Sequence, residues 1–258
     1  MTRISSLCVF CGSKTGDDPA FEAAARRFGE LMGERGVRLV FGGGRIGLMG
    51  VVADAVLGGG GEAVFVRTDV SRTADVQNMV NTAVETFGRL DYAFNNAGIV
   101  LDRGSTHEHT EEDWDQTIDV NLKGLWLCVK YEVPVMLAQG GGAIVNTASV
   151  MGLVGGSRSP AYGATKHGVV GLTKTGAVDY AQEAIRINAV CPGYIRTPMI
   201  EQGILSDPVA EERVVSRHPM HRLGTPEEIA EAVVWLCSDA ASFVTGHAMT
   251  VDGGYVAW

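Results

Sequence analysis

The strongest constraint on this chain is a rhythm: from Ser6 to Val190, short apolar runs alternate with longer segments of helical periodicity. Ser6 to Phe10 reads as a strand, and Phe21, Ala24, Phe28, Leu31 and Met32 then recur at helical spacing until Gly36 stops them. Val37 to Phe41 is a second strand, Ile46 to Leu57 a second helix, and Ala63 to Val66 a third strand. A helix at Val76 to Phe87, a strand at Tyr92 to Phe94, a long helix near Glu111 to Leu137 and a strand at Ala143 to Thr147 follow. A helix at Tyr162 to Ala181 and a strand at Arg186 to Val190 continue the pattern. A helix between successive strands carries the chain back to the starting edge, so the strands run parallel and the helices cover both faces. The expectation is an α/β protein with one doubly wound, Rossmann-like domain over residues 1–258, its ligand crevice beyond the carboxyl ends of the strands.

No repeat or charge run breaks the rhythm, and the glycine string Gly58 to Gly61 falls between a helix and a strand of an alternation already under way. The 30 acidic and 21 basic residues give a formal net charge of -9, the wrong sign for nucleic acid or an anionic membrane surface. No apolar run approaches the roughly 20 residues that span a bilayer, and the first residues lack a basic segment followed by an apolar one. The reading is a cytoplasmic protein with neither nucleic acid nor membrane as a partner. Five cysteines, odd in number and mostly within apolar strings, suit a reducing compartment. Cys8 and Cys11 spell CxxC, but residues three apart in a strand point to opposite faces. His107-Glu108-His109 stands in a polar loop with no further ligand type beside it. No metal is expected.

Chemistry concentrates in the second half. Tyr162 and Lys166 stand four apart on a predicted helix, so their side chains share a face. A free phenol, with a pKa of about 10, is a poor acid or base at neutral pH, and a neighbouring ammonium favours its phenolate. Ser149, thirteen residues before Tyr162 at the mouth of a strand, could hold a substrate oxygen while Tyr162 moves the proton.

Around these residues lie Asn95-Asn96-Ala97-Gly98 after a strand, Asp119-Val120-Asn121-Leu122-Lys123-Gly124, Asn146-Thr147-Ala148-Ser149-Val150 and Pro192-Gly193-Tyr194-Ile195-Arg196-Thr197. Together they resemble the short-chain dehydrogenase/reductase family over roughly residues 62–258. The resemblance implies a proton-relay tetrad of Asn121, Ser149, Tyr162 and Lys166. It further implies NAD or NADP as cofactor, with Lys166 on the nicotinamide ribose beside Tyr162 and Asn95, Ala97 and Gly98 shaping the floor. Asp69 and Val70 would line the adenine, and Pro192, Gly193, Ile195 and Thr197 would approach the carboxamide. The closing Val251-Asp252-Gly253-Gly254 fits the same family. A small alcohol or ketone is the implied substrate and a homotetramer or dimer, built through the helices near 111–137 and 162–181, the implied assembly.

The first half departs from that pattern. Where the family opens with TGxxxGxG, this chain has Cys11-Gly12-Ser13-Lys14-Thr15-Gly16-Asp17-Asp18-Pro19. Gly12 and Gly16 keep two of the glycines that let the backbone approach a pyrophosphate, but Asp18 takes the third place. Asp18 before Pro19 reads as an N-cap followed by a first helical proline, which sets a carboxylate on the amides that would bind phosphate. Residues 7 to about 61, with Asp17-Asp18-Pro19-Ala20-Phe21 and Gly42-Gly43-Gly44-Arg45-Ile46-Gly47-Leu48-Met49-Gly50, resemble LONELY GUY-type cytokinin-activating phosphoribohydrolases. In that family the glycine-rich segment, here Gly42 to Gly50, helps bind a nucleoside monophosphate. The PGGxGTxxE motif that carries its hydrolytic residues does not occur here. The expectation is a chimera, engineered, joined near residues 58–63, and the alternative is a natural member of the dehydrogenase family with an unusual amino-terminal half. Gly42, Gly44 and Gly47 also spell GxGxxG, but after the second strand rather than the first, and Arg45 there could meet the 2′-phosphate of NADP. A nicotinamide-dependent oxidoreductase framework with weak or absent cofactor binding leads. The alternatives are a stable fold without activity and nucleoside monophosphate binding by the first half.

Overall fold

The computed structural model describes residues 6–10, 19–34, 38–42, 48–101, 104–197, 200 and 207–258. Seven parallel strands form one sheet: β1 (Ser6–Phe10), β2 (Arg38–Gly42), β3 (Ala63–Val66), β4 (Tyr92–Asn95), β5 (Gly142–Thr147), β6 (Ile185–Pro192) and β7 (Ala248–Val251). Their order across the sheet is β3-β2-β1-β4-β5-β6-β7. The order reverses between β1 and β4, which are paired in parallel, so the crevice opens at their carboxyl ends. The doubly wound, Rossmann-like architecture is the one the alternation dictates.

Helices α1 (Pro19–Glu34) and α2 (Leu48–Gly58) cover one face together with α8 (Pro226–Cys237). The other face carries α3 (Thr73–Phe87), α4 (Glu111–Ile118), α5 (Leu125–Gln139) and α6 (Pro160–Tyr180); α7 (Pro208–Ser216) lies in the connection after β6. Alternation along the strands divides the core accordingly. Tyr92, Ala143, Val145 and Val190 pack toward Val52, Val56, Val233 and Leu236. Ala93, Ile144, Ile187 and Ala189 pack toward Val76, Met79, Leu127, Met136 and Val169.

Residues 58–63 are structural rather than a tether. A Cβ on Gly59 would come 3.1 Å from the Cα of Gly33, and one on Gly61 would come 2.8 Å from a methyl of Val56. Gly60 has φ +79°, the left-handed region that favours glycine. Gly29 lets α1 close on α2, since a Cβ there would strike Val52 O and come 2.6 Å from Ala55 Cβ.

Three features differ from the sequence expectation. The long helix near 111–137 is two helices joined by a π turn at Asp119–Gly124, and it ends at Gln139 before Gly140 in the left-handed region. Hydrophobic periodicity cannot register one extra residue in a turn, which is why the sequence shows a single helix. Helix α8 and strand β7 follow the last strand the alternation singled out. Helix α8 is opened by a Thr225–Glu228 capping box, and Arg186 on β6 closes it by donating to Leu236 O at 2.5 Å, Cys237 O at 3.0 Å and Ser238 O at 3.2 Å. Strand β7 is anchored through Asn188, whose Nδ2 donates to Val244 O while its Oδ1 accepts the His247 amide.

Candidate active site

The sequence-predicted residues that fall within the described chain gather at the carboxyl edge of the sheet. Asn95 ends β4, Thr147 ends β5 two residues before Ser149, and Pro192 ends β6. Asp69 and Val70 follow β3. Gly12, Gly16 and Arg45 lie outside the described residues, as do Asp17 and Asp18. Pro19 does open α1, as its place after Asp18 suggests.

Asn121 sits in the π turn, fully buried. Its Oδ1 accepts the Ile99 amide at 2.8 Å and its Nδ2 donates to Ile99 O at 2.8 Å. The side chain thus acts as a two-point clamp on the segment leaving β4. Gly98 stands where three predicted residues meet, because a Cβ there would lie 3.4 Å from Asn121 Oδ1 and 3.7 Å from Lys166 Nζ. Upstream, Asn96 Oδ1 accepts from Thr147 Oγ1 at 2.9 Å, which ties the turn after β4 to β5. Val70 packs against the π turn, its Cγ2 2.9 Å from where a Cβ on Gly124 would sit. Asp69 spends one carboxylate oxygen on the amide and hydroxyl of Ser71.

Lys166, on α6, is buried and donates to Thr147 O at 2.8 Å. Its ammonium lies 5.4 Å from the centroid of the Tyr162 ring, as the four-residue spacing on one helix requires. Burial pulls the lysine down from 10.5 to about 8, and the nearby Cys191 thiol pulls the other way. One of three ammonium protons is committed to Thr147, which leaves donors for further acceptors. Ser149 is extended and caps a short 3-10 turn, its Oγ accepting the Met151 amide at 3.1 Å. That bond uses an acceptor lone pair and leaves the hydroxyl proton to give.

Two functional neighbours were not evident from the sequence. Cys191 is buried at the end of β6, near Lys166 and the Ser149 backbone; burial pushes the thiol up to about 11, against the pull of the Ser149 backbone and of Lys166. His218, also buried, supports the Pro192-Gly193 turn. Its Nδ1 lies 2.8 Å from Val214 O and its Nε2 3.3 Å from the Tyr194 amide, so the neutral ring carries its proton on Nδ1. A Cβ on Gly193 would come 3.1 Å from His218 Nε2 and 2.9 Å from Asp252 Cα, so only glycine fits there. A lone histidine in a polar stretch and a cysteine in an apolar string carry no sequence signal of either role. Ile195 bridges to Gly224, the Arg196 amide bonds Gly224 O, and Thr197 O accepts the Ile200 amide. His109 Nε2 lies 3.2 Å from Gly104 O, while His107 and Glu108 are exposed. Among the described residues no helix is long and apolar enough to cross a membrane.

Comparison with known proteins adds to this geometry. Residues 23–256 match a family model described as enoyl-(acyl carrier protein) reductase, a stretch that crosses residues 58–63. The chain is 46% identical over 225 residues to cyclohexanol dehydrogenase of Acinetobacter sp. (strain SE19), with 87% of each covered. It is 42% identical over 243 residues to cis-4-hydroxycyclohexanecarboxylate dehydrogenase of Sinomonas cyclohexanicum, covering 94% of this chain and 95% of that one. The crystal structure of carveol dehydrogenase from Mycobacterium avium in complex with NAD superposes with a TM-score of 0.88 at 26% identity, covering 100% of this chain and 99% of that one.

Proposed function

This chain belongs to the short-chain dehydrogenase/reductase family, and from that premise we propose that it is an NAD(P)-dependent oxidoreductase interconverting a secondary alcohol on a six-membered carbon ring and the corresponding ketone. The observation that carries the reading is the convergence of Tyr162, Lys166, Asn121 and the Gly98 backbone at one edge of the sheet. The ring preference rests on the two relatives whose names specify a cyclohexane skeleton.

The residues present fit a nicotinamide dinucleotide. Gly98 offers bare backbone beside Asn121 and Lys166, and Lys166 retains donors suited to ribose hydroxyls. When bound, that cofactor gives or accepts the hydride. Ser149 donates its hydroxyl proton to the substrate oxygen, Tyr162 delivers or takes the proton at Oη, and the Lys166 ammonium favours the phenolate. Asn121 holds the floor through Ile99 rather than by touching the reacting atoms. Asn95, Ala97 and Gly98 form that floor, Asp69 and Val70 flank the adenine, and Pro192, Gly193, Ile195 and Thr197 flank the carboxamide. Gly12 and Gly16 are assigned to the pyrophosphate and Arg45 to a 2′-phosphate, if NADP is the cofactor, from the sequence alone, since all three lie outside the described residues. The assembly is a homotetramer or dimer in the cytoplasm.

The motifs of residues 7–61 also support an amino-terminal unit of phosphoribohydrolase type joined near 58–63, with cofactor affinity lowered by Asp17 and Asp18. Calorimetric titration with NADH, NADPH and AMP separates these readings. Micromolar NAD(P)H affinity argues against impairment, and absence of AMP binding removes nucleotide capture by the first half. For the substrate, NAD(P)H turnover over matched panels is decisive: cyclohexanone-type ketones should be turned over with higher kcat/KM than open-chain ketones of equal carbon number. The reverse order defeats the ring assignment.

A further inference from the structure

The core between α5 and the sheet holds a carboxyl group that the proposed reaction does not use. Glu132 on α5 is 1% exposed and Asn95 at the end of β4 is 3% exposed. Asn95 Nδ2 donates to Glu132 Oε2 at 3.1 Å and to Asn146 Oδ1 at 3.1 Å, and Asn146 Nδ2 donates to Thr173 Oγ1 at 3.0 Å. One polar chain therefore ties α5, β4, β5 and α6 together. Two buried oxygens in it have no hydrogen-bond partner among the described residues, Glu132 Oε1 and Asn95 Oδ1. One is the second oxygen of the Glu132 carboxyl and the other the single oxygen of the Asn95 carboxamide, two groups that already share one bond.

The ionisation state decides whether this arrangement is stable. A carboxylate would leave both oxygens as acceptors with no donor and would set a net charge among apolar side chains. A proton on Oε1 removes the charge and supplies the missing donor. We propose that Glu132 is a positioning residue held as a neutral acid: with its proton on Oε1 it closes a two-bond pair with the Asn95 carboxamide and fixes the start of the Asn95–Gly98 turn. The link to cofactor binding rests on the function proposed above; the protonation does not.

The surroundings agree. Burial raises Glu132 from 4.5 to about 7, opposed in part by the Asn95 bond, and no charged group contributes. Helix α3 presents Val76, Met79, Val80, Ala83 and Phe87 to this core, β4 and β5 present Asn95 and Asn146, and β6 presents Ile187, Ala189 and the Cys191 thiol. Cys128 lies one turn away on α5. On α6, Lys166 stands seven residues from Thr173, roughly 10 Å along the axis, and its ammonium is directed to Thr147 O. Asn121 clamps the end of the same turn through Ile99, so Glu132 and Asn121 hold its two ends.

Infrared difference spectroscopy between wild type and Glu132→Gln tests the proton directly. The expected result at pH 6 is a protonated-carboxyl carbonyl band in the wild type that is absent from the variant and titrates away as pH rises through about 7. Glutamine preserves both hydrogen bonds without ionising, so the cofactor KM of the wild type should rise several-fold through neutrality while that of Glu132→Gln stays flat, with no matching change in kcat. Glu132→Leu, which cannot pair with Asn95, should raise the cofactor KM at every pH. Absence of the carboxyl band at pH 6 overturns the protonation. A band that titrates while cofactor KM stays flat in all three proteins overturns the positioning role. If no nicotinamide turnover is found at all, the function fails while the infrared result still stands.

Discussion

Replacing Asn121 with alanine should cost both stability and catalysis, by amounts the geometry sets. The side chain is 0% exposed and makes two hydrogen bonds of 2.8 Å to the backbone of one residue, Ile99. Removing it forfeits two neutral bonds, each worth about 1 kcal/mol net, and strands a partly buried N–H and C=O whose desolvation adds about 1–3 kcal/mol apiece if water cannot reach them. With water reaching the half-buried Ile99 groups, the two lost bonds alone set the total at about 2 kcal/mol, a fall in Tm of roughly 4–8 °C for a domain of this size. The clamp also fixes the segment that begins with Gly98, against Lys166. Misplacing catalytic groups by about 1 Å costs on the order of a hundredfold in rate, so kcat/KM should fall by about that factor, with a raised cofactor KM as part of it. Asn121→Asp is the sharper variant, since it sets an acceptor against Ile99 O and should do as much harm at pH 7 with almost no change in volume. Thermal melts and steady-state kinetics on both variants provide the readout. If Asn121→Asp keeps the wild-type Tm and kcat/KM within twofold, the clamp is not what holds the site.

Other outcomes follow from the same structure. Arg186→Met removes one guanidinium from three carbonyls at the end of α8 and should lower stability by about 3 kcal/mol; an unchanged urea midpoint would show that water caps that helix as well. Gly29→Ala must push α1 away from α2, because its Cβ meets the Val52 carbonyl and Ala55 Cβ, and should destabilise by about 1–3 kcal/mol, whereas alanine elsewhere in a helix normally helps. Lys166 has a folded-state value of about 8 against 10.5 when free, so the unfolded chain binds more protons between those values and wild-type stability, relative to Lys166→Met, should rise across that window by about 3 kcal/mol. Parallel melting curves of the two proteins at pH 7 and pH 10 would contradict that sign.

Much of this was legible in the sequence because it depends on local spacing. The alternation of periods fixes strand and helix identity, and Ser6–Phe10 and Ala63–Val66 coincide with the expected strands. Tyr162 and Lys166 share a face for the reason any residues four apart do, and the turns after β4, β5 and β6 meet because a parallel sheet brings every strand's carboxyl end to one edge. What was not legible depends on tertiary partners. The π turn around Asn121 adds one residue to a helix whose hydrophobic pattern continues on both sides. Nothing in the sequence singles out Glu132, whose partner Asn95 comes from another element. His218 acquires its role from the backbone amide of Tyr194, and Cys191 from its closeness to Lys166, both far away in the chain. The capping box of Thr225 and Glu228 ahead of α8 is a local signal that the alternation of strands and helices did not pick out.

The central claim is that Tyr162 moves the proton at a site assembled with Lys166 and Ser149. Steady-state turnover of NADH or NADPH with a cyclohexanone-type ketone, compared between wild type and Tyr162→Phe, tests it most directly. Loss of turnover in a Tyr162→Phe protein that keeps its Tm and its calorimetric cofactor affinity is the expected result; turnover that survives in it contradicts the account.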